Sequence, residues 1–143
     1  MSEFNPKEDV KNSELVLVDG DWPSFHDAQV HHYSYWKGDL RPDDDVWVGS
    51  QIIIDFELCA LEEPFYVKLK FSDCGEVNMS ANNPDNSMYD LNMSYEKRGF
   101  FTSGKPLPPY IAVELKESFG FHLKFKCMSI DVVERYKNVR IFD

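Results

Sequence analysis

Apolar residues recur at every second position through much of the chain. Phe65, Val67, Leu69 and Phe71 alternate with Tyr66, Lys68 and Lys70, a period of two that sends one set to a buried face of a strand and the other toward solvent. The stretch from Trp47 to Cys59 predicts one long strand, with Ile52, Ile54, Phe56 and Leu58 on one face and Asp55 and Glu57 on the other. Tyr89, Leu91, Met93 and Tyr95 alternate with Asp90, Asn92 and Ser94 in the same way. Ile111, Val113 and Leu115 are followed across Ser118-Phe119-Gly120 by Phe121, Leu123, Phe125 and Cys127, the signature of a hairpin. After Cys127 the apolar positions move to Met128, Ile130 and Val132. That change of phase by one residue calls for a β-bulge or a strand that crosses between sheets. Residues 28–36, rich in Val, Tyr and Trp, and the shorter stretch from Val77 to Ala81 complete the candidate strands.

Turn residues separate these runs. Asp19-Gly20, Glu62-Glu63-Pro64, Asp73-Cys74-Gly75 and the Asn-rich segment Asn82 to Asn86 all read as turns. The prolines of Gly104 to Pro109 keep that segment out of a sheet interior. Around Trp22 to Asp27 a short helical turn is predicted, with Ser24 as its cap. Residues 1–14 are polar and contain Pro6, and are expected to form a flexible lead-in to one β-rich domain over residues 15–143. About eight strands with regular turns predict a mainly β fold, an antiparallel sandwich or partly closed barrel.

A length of 143 residues suits one domain, and the 15% aromatic content supplies bulk for its core. No apolar run approaches the ~20 residues of a membrane span, and the opening MSEFNPKEDVKNSE lacks the layout of a secretion signal. A cytoplasmic protein is expected, without membrane contact. Cys59, Cys74 and Cys127 are widely spaced, which predicts reduced thiols, with Cys59 and Cys127 buried in their strands.

Charge adds more than composition does. The net charge is −10, yet residues 1–63 hold 15 Asp and Glu against 4 Lys and Arg, while residues 64–143 are nearly balanced. This acidity argues against a nucleic-acid partner, whose phosphates need Lys and Arg, and in favour of a protein with a basic surface. Asp39, Asp43, Asp44 and Asp45 are bracketed by Trp36 and Trp47. Aromatic anchors rimmed by charge resemble binding hot spots, although both tryptophans could instead be core residues. Glu62 and Glu63 add to the candidate partner-binding surface.

The candidates for chemistry are few. His26-Asp27 could form a base and its orienting carboxylate, but adjacent side chains diverge on a strand or a helical turn. His31 and His32 likewise point to opposite faces of a regular strand, so no metal is expected. The common nucleotide, hydrolase and metalloprotease motifs are missing, and no cofactor is expected. Three functions stay open: a macromolecule-binding protein, a small hydrolase using His26 and Asp27, and a small-ligand-binding β-barrel with an internal cavity. The non-enzymatic binder is the leading expectation.

The nonapeptide Trp22-Pro23-Ser24-Phe25-His26-Asp27-Ala28-Gln29-Val30 resembles the W-P-S-F-H-D-A-E-V signature near the start of the Imm50 family of bacterial polymorphic-toxin immunity proteins. Chain length, the Asn-rich segment before a polar-apolar strand and the closing pattern from Phe121 to Ile130 are also similar. Gln29 stands where an acidic residue is more usual. The resemblance implies a protein that binds and neutralises a cognate toxin, and the charge suggests a toxin with a basic cleft, such as a nuclease. In this reading Trp22, Pro23, Phe25, His26 and Asp27 shape the fold, and partner contacts lie elsewhere.

Overall fold

The computed structural model describes residues 3–40, 47–80, 88–117 and 122–137. Its strands are β1 (Gln29–Trp36), β2 (Asp39–Leu40), β3 (Trp47–Val48), β4 (Gln51–Leu58), β5 (Phe65–Ser72), β6 (Gly75–Met79), β7 (Met88–Glu96), β8 (Tyr110–Glu117), β9 (Leu123–Cys127) and β10 (Ser129–Tyr136). Two four-stranded antiparallel sheets result, in the orders β1-β4-β5-β10 and β6-β9-β8-β7, and β2 and β3 pair as a separate ribbon.

The alternation explains how the sheets face each other. Ile52, Ile54, Phe56, Leu58, Val67, Leu69 and Phe71 line the inner side of the first sheet, and Val113, Leu115, Leu123, Phe125 and Cys127 that of the second. The two layers share one apolar cluster, with Phe71 of β5 edge-on to Phe125 of β9 at 5.0 Å between ring centres. The protein is therefore a mainly β sandwich, and no described strand pair closes it into a barrel. The change of phase after Cys127 marks a crossing: β9 belongs to the second sheet and β10 to the first. Met128 lies between them, and its amide donates to the Ser72 carbonyl at 2.9 Å.

Three expectations need correction. The long strand from Trp47 to Cys59 breaks at Gly49-Ser50. There the Asp73 amide donates to the Ser50 carbonyl at 2.7 Å, and a Cβ on Gly49 would collide with the Asp73 carboxyl. At its other end β4 stops at Leu58, leaving Cys59 exposed rather than buried.

The opening residues are the third case. Phe4, Val10 and Val16 are buried, so the segment is packed on the domain and is not a lead-in. Asn5 caps helix α1 (Pro6–Asp9): its side chain accepts from the Lys7 amide at 3.2 Å, while Asp9 accepts from the Asn5 amide at 2.8 Å. A 3-10 turn follows at Ser13–Leu15. Between them the Lys11 amide donates to Ile130 at 2.9 Å, and its carbonyl accepts from Val132 at 2.8 Å. Phe4 meets Tyr95 edge-on at 5.1 Å. Two apolar residues spaced six apart in a polar stretch give no periodic signal, so only tertiary packing fixes this segment.

Candidate functional site

The segment Trp22 to Val30 folds as a turn that leads into β1. Trp22 stacks on Phe25 with ring centres 5.7 Å apart, and Phe25 meets Phe56 edge-on at 5.1 Å. Phe25 and Ala28 are buried, as is Pro23. The expected helical turn is absent here. Instead the Ala28 amide donates to the Phe25 carbonyl at 3.1 Å and the His26 amide to Ser24 Oγ at 3.1 Å, with Asp27 at φ 62°. A residue in that left-handed region ends any helix, and Asp tolerates it better than most.

The same backbone bend brings the His26 and Asp27 side chains together, Nδ1 to Oδ2 at 3.4 Å, although they are sequence neighbours. Both side chains are more than half exposed, at 52% and 73%. Trp22, Pro23 and Phe25 thus point inward and His26 and Asp27 outward. The pair therefore lies on an exposed turn, open to water on the outside of the domain.

A denser polar cluster lies on the outer face of the first sheet. The register of β1 on β4 slips between Val30 and His32, leaving His31 as the extra residue of a bulge. The bulge cancels the alternation that should separate the two histidines. His31 Nε2 sits 3.0 Å from Glu57 Oε1, and His32 Nδ1 lies 3.7 Å from Asp55 Oδ2, both carboxyls projecting from the same side of β4.

Neighbouring strands complete this cluster. Tyr66 donates to Glu57 Oε1 at 3.0 Å and Tyr136 donates to Asp55 Oδ1 at 2.8 Å, their rings stacked 5.2 Å apart. Lys68 Nζ stands 3.9 Å from Asp55 and 3.8 Å from Glu134. Burial, then the neighbouring Glu57, raises the Tyr66 hydroxyl above its usual value and keeps it a donor. The side chain of Asp55 is only 1% exposed: its Oδ1 accepts from Tyr136, while its buried Oδ2 has no hydrogen-bond partner and faces His32 Nδ1 at 3.7 Å. Among the described residues no three His, Cys, Asp or Glu side chains are placed to hold a metal ion.

The acidic candidates are split between the two ends of the first sheet. Trp36, at the end of β1, is 46% exposed and Tyr35 56%, so Trp36 is a surface residue and not part of the core. Asp39, also exposed, follows in β2. Asp43, Asp44 and Asp45 lie outside the described residues, and Trp47 is placed only by its backbone pairing with Leu40. Glu62 and Glu63 are exposed in the connection between β4 and β5. Trp36 pairs with Gln51 and Phe65 with Leu58, at opposite ends of β4, so roughly 24 Å of strand separates the Trp36 end from the end that leads to Glu62 and Glu63.

Cys127 is buried and Cys74 partly so, which disfavours the thiolate of both. Burial pushes Cys74 up to about 12 and raises Cys127 as well.

The sequence reading passed over one surface, the β7–β8 connection of residues 97–109. Phe100 is 72% and Phe101 52% exposed there, beside an open cavity of about 550 Å³. The adjacent pair Phe100-Phe101 between two glycines and several prolines was a usable signal, because it fits neither strand alternation nor a polar loop.

Compared with protein-family models, curated proteins and solved structures, the chain finds no match in any of the three.

Proposed function

We propose that this chain is a binding protein of the immunity type, one that neutralises a cognate toxin in the cytoplasm by covering its working surface. The observation that carries the reading is the pair of exposed aromatics, Tyr35 and Trp36, at the point where β1 runs into the acidic connection. Large exposed rings beside carboxylates supply an anchor and a field that speeds encounter with a basic partner. The net −11 of residues 1–63 and the resemblance of Trp22 to Val30 to the Imm50 signature point the same way. The complementary partner is a toxin with a basic cleft, a nuclease being the simplest case.

The other two readings have less support. The hydrolase needs His26 and Asp27 in a cavity, whereas they occupy an exposed turn. The ligand carrier needs an empty interior, whereas Phe71, Phe125 and their neighbours fill the space between the sheets.

Co-purification with the product of the adjacent gene tests the proposal. A toxin-like protein should bind, and Trp36→Ala should weaken the complex roughly tenfold or more with little change in Tm. Changing Asp43, Asp44 and Asp45 together to Asn should slow association and flatten its salt dependence. Absence of a toxin-like partner, or a complex indifferent to both variants, would overturn the proposal.

A further inference from the structure

The β7–β8 connection is built as a surface and not as a slack link. Phe100 and Pro106 form a bridge, the Phe101 amide donates to the Lys105 carbonyl at 2.8 Å, and the Gly104 amide donates to Phe101 at 2.9 Å. At its base the Leu107 amide donates to Gly99 at 2.9 Å. Gly99 and Gly104 take φ of 104° and 89°, values that a side chain would strain. Arg98 fixes the loop to the body: Nη1 donates to the Pro108 carbonyl at 3.3 Å and approaches Met128 Sδ at 3.8 Å, while the guanidinium covers the Tyr110 ring at 4.5 Å. A loop held this way loses little entropy on binding.

Its chemistry is opposite to that of the rest of the chain. Residues 97–109 contain Lys97, Arg98 and Lys105 and no carboxylate, within a protein of net charge −10. Lys97 and Arg98 line the open cavity together with the apolar Phe100, Pro106, Leu107 and Pro109, and Lys105 directly precedes Pro106 in the loop. Among the described residues Phe100 is the most exposed large apolar side chain.

We infer that residues 97–109 form a docking surface for an acidic protein segment, one whose large apolar side chain enters the cavity beside Phe100 while its carboxylates meet Lys97, Arg98 and Lys105. A cavity of about 550 Å³ with mainly apolar walls takes a side chain, and three cations suit a few carboxylates. A nucleic acid or an anionic bilayer would carry dense negative charge toward a protein that is itself acidic, so neither fits as well.

This surface and the acidic one share an end of the sandwich. Trp36, Gln51, Ser72 and Ser129 are successive cross-strand partners, and Met128, touched by Arg98, immediately precedes Ser129. Three strand spacings, roughly 14 Å, therefore separate Trp36 from Ser129, the neighbour of the Met128 that Arg98 touches. Trp36 and Asp39 on one side and the cations of the loop on the other flank that end, so a partner spanning it would be read for charge pattern and not just for net charge. The loop proposal is independent of the immunity reading, because it is tested without a toxin.

The experiment is selection of short random peptides by display on the full chain, followed by amide chemical-shift mapping of the winners on labelled protein. Peptides that pair Asp or Glu with Phe, Leu or Trp should be enriched and should move signals of residues 97–109. The double variant Phe100→Ser/Phe101→Ser should weaken them roughly tenfold or more. Lys97→Glu/Lys105→Glu should do likewise, and it carries the test if the first variant folds poorly. Enrichment of basic peptides, mapping to another surface, or affinity unchanged in both variants overturns the inference. So does preferential capture of single-stranded oligonucleotide or anionic vesicles by this loop, or a self-association by sedimentation that the Phe variant abolishes.

Discussion

The outward faces of the two sheets use the same residue types for different ends. On the first sheet, Asp55 is sealed beneath its partners, with Tyr136 and Lys68 closing over it and Tyr66 stacked beside them. On the second, Lys126 reaches Glu76 and Glu96, and His122 meets Glu114 at 2.9 Å, in pairs that remain substantially open to water. Exposed pairs add little because solvent competes for every charge, whereas a buried carboxyl stripped of its partners has nowhere to turn. Position in the fold, and not the chemical identity of the pair, sets what each interaction contributes.

The comparison can be broken by mutation. Asp55→Ala should cost the most, about 2 kcal/mol in urea unfolding, since it removes the buried carboxyl on which the Tyr136 hydroxyl and Lys68 converge. If it costs no more than an exposed pair on the second sheet, the contrast between the faces fails. Tyr136→Phe removes one donor and keeps the ring stack, so a loss of about 1 kcal/mol is expected.

Glu114 sharpens the other side. Its hydrogen bond with His122 holds the carboxyl below the ordinary glutamate value of 4.5. A depressed value means that its stabilisation is fully present above that pH and is lost as pH falls through the lower folded value. Glu114→Gln should therefore lower the neutral-pH midpoint slightly, by the contribution of this pair, and reduce the steepness of acid unfolding below pH 4.5 by the same amount. An acid limb that stays equally steep would show that this pair contributes nothing.

Much of the fold was legible because the strands are long enough for the period to show. The alternation of Phe65 to Phe71 and the slip of phase after Cys127 translate directly into β5 and into the crossing from β9 to β10. The bulge at His31 left a similar trace that went unread: Val30 and Tyr33, both packed inward, are three residues apart where a regular strand would space them by two. That missed step separated the two histidines on paper and hid the cluster with Asp55 and Glu57. Helical pieces were misplaced for another reason. Ser24 looks like a helix cap in either setting, and only the left-handed Asp27 decides against one. Of the candidate site, the exposure of Trp36 could not be foreseen, since a tryptophan next to a turn fits core or surface equally.

The docking of Lys11 on β10 has a consequence for the protein in a crowded cell. A last strand in a sheet offers open amides and carbonyls to any similar strand that drifts past, which is how orderly domains begin to stick to one another. Lys11 occupies the Ile130 carbonyl and the Val132 amide, and Phe4 and Val10 hold it in place. Residues 3–16 act as a fender along that border. A chain begun at Leu15 would keep both sheets yet lose its guard, and should reveal the loss by forming aggregates well before it unfolds.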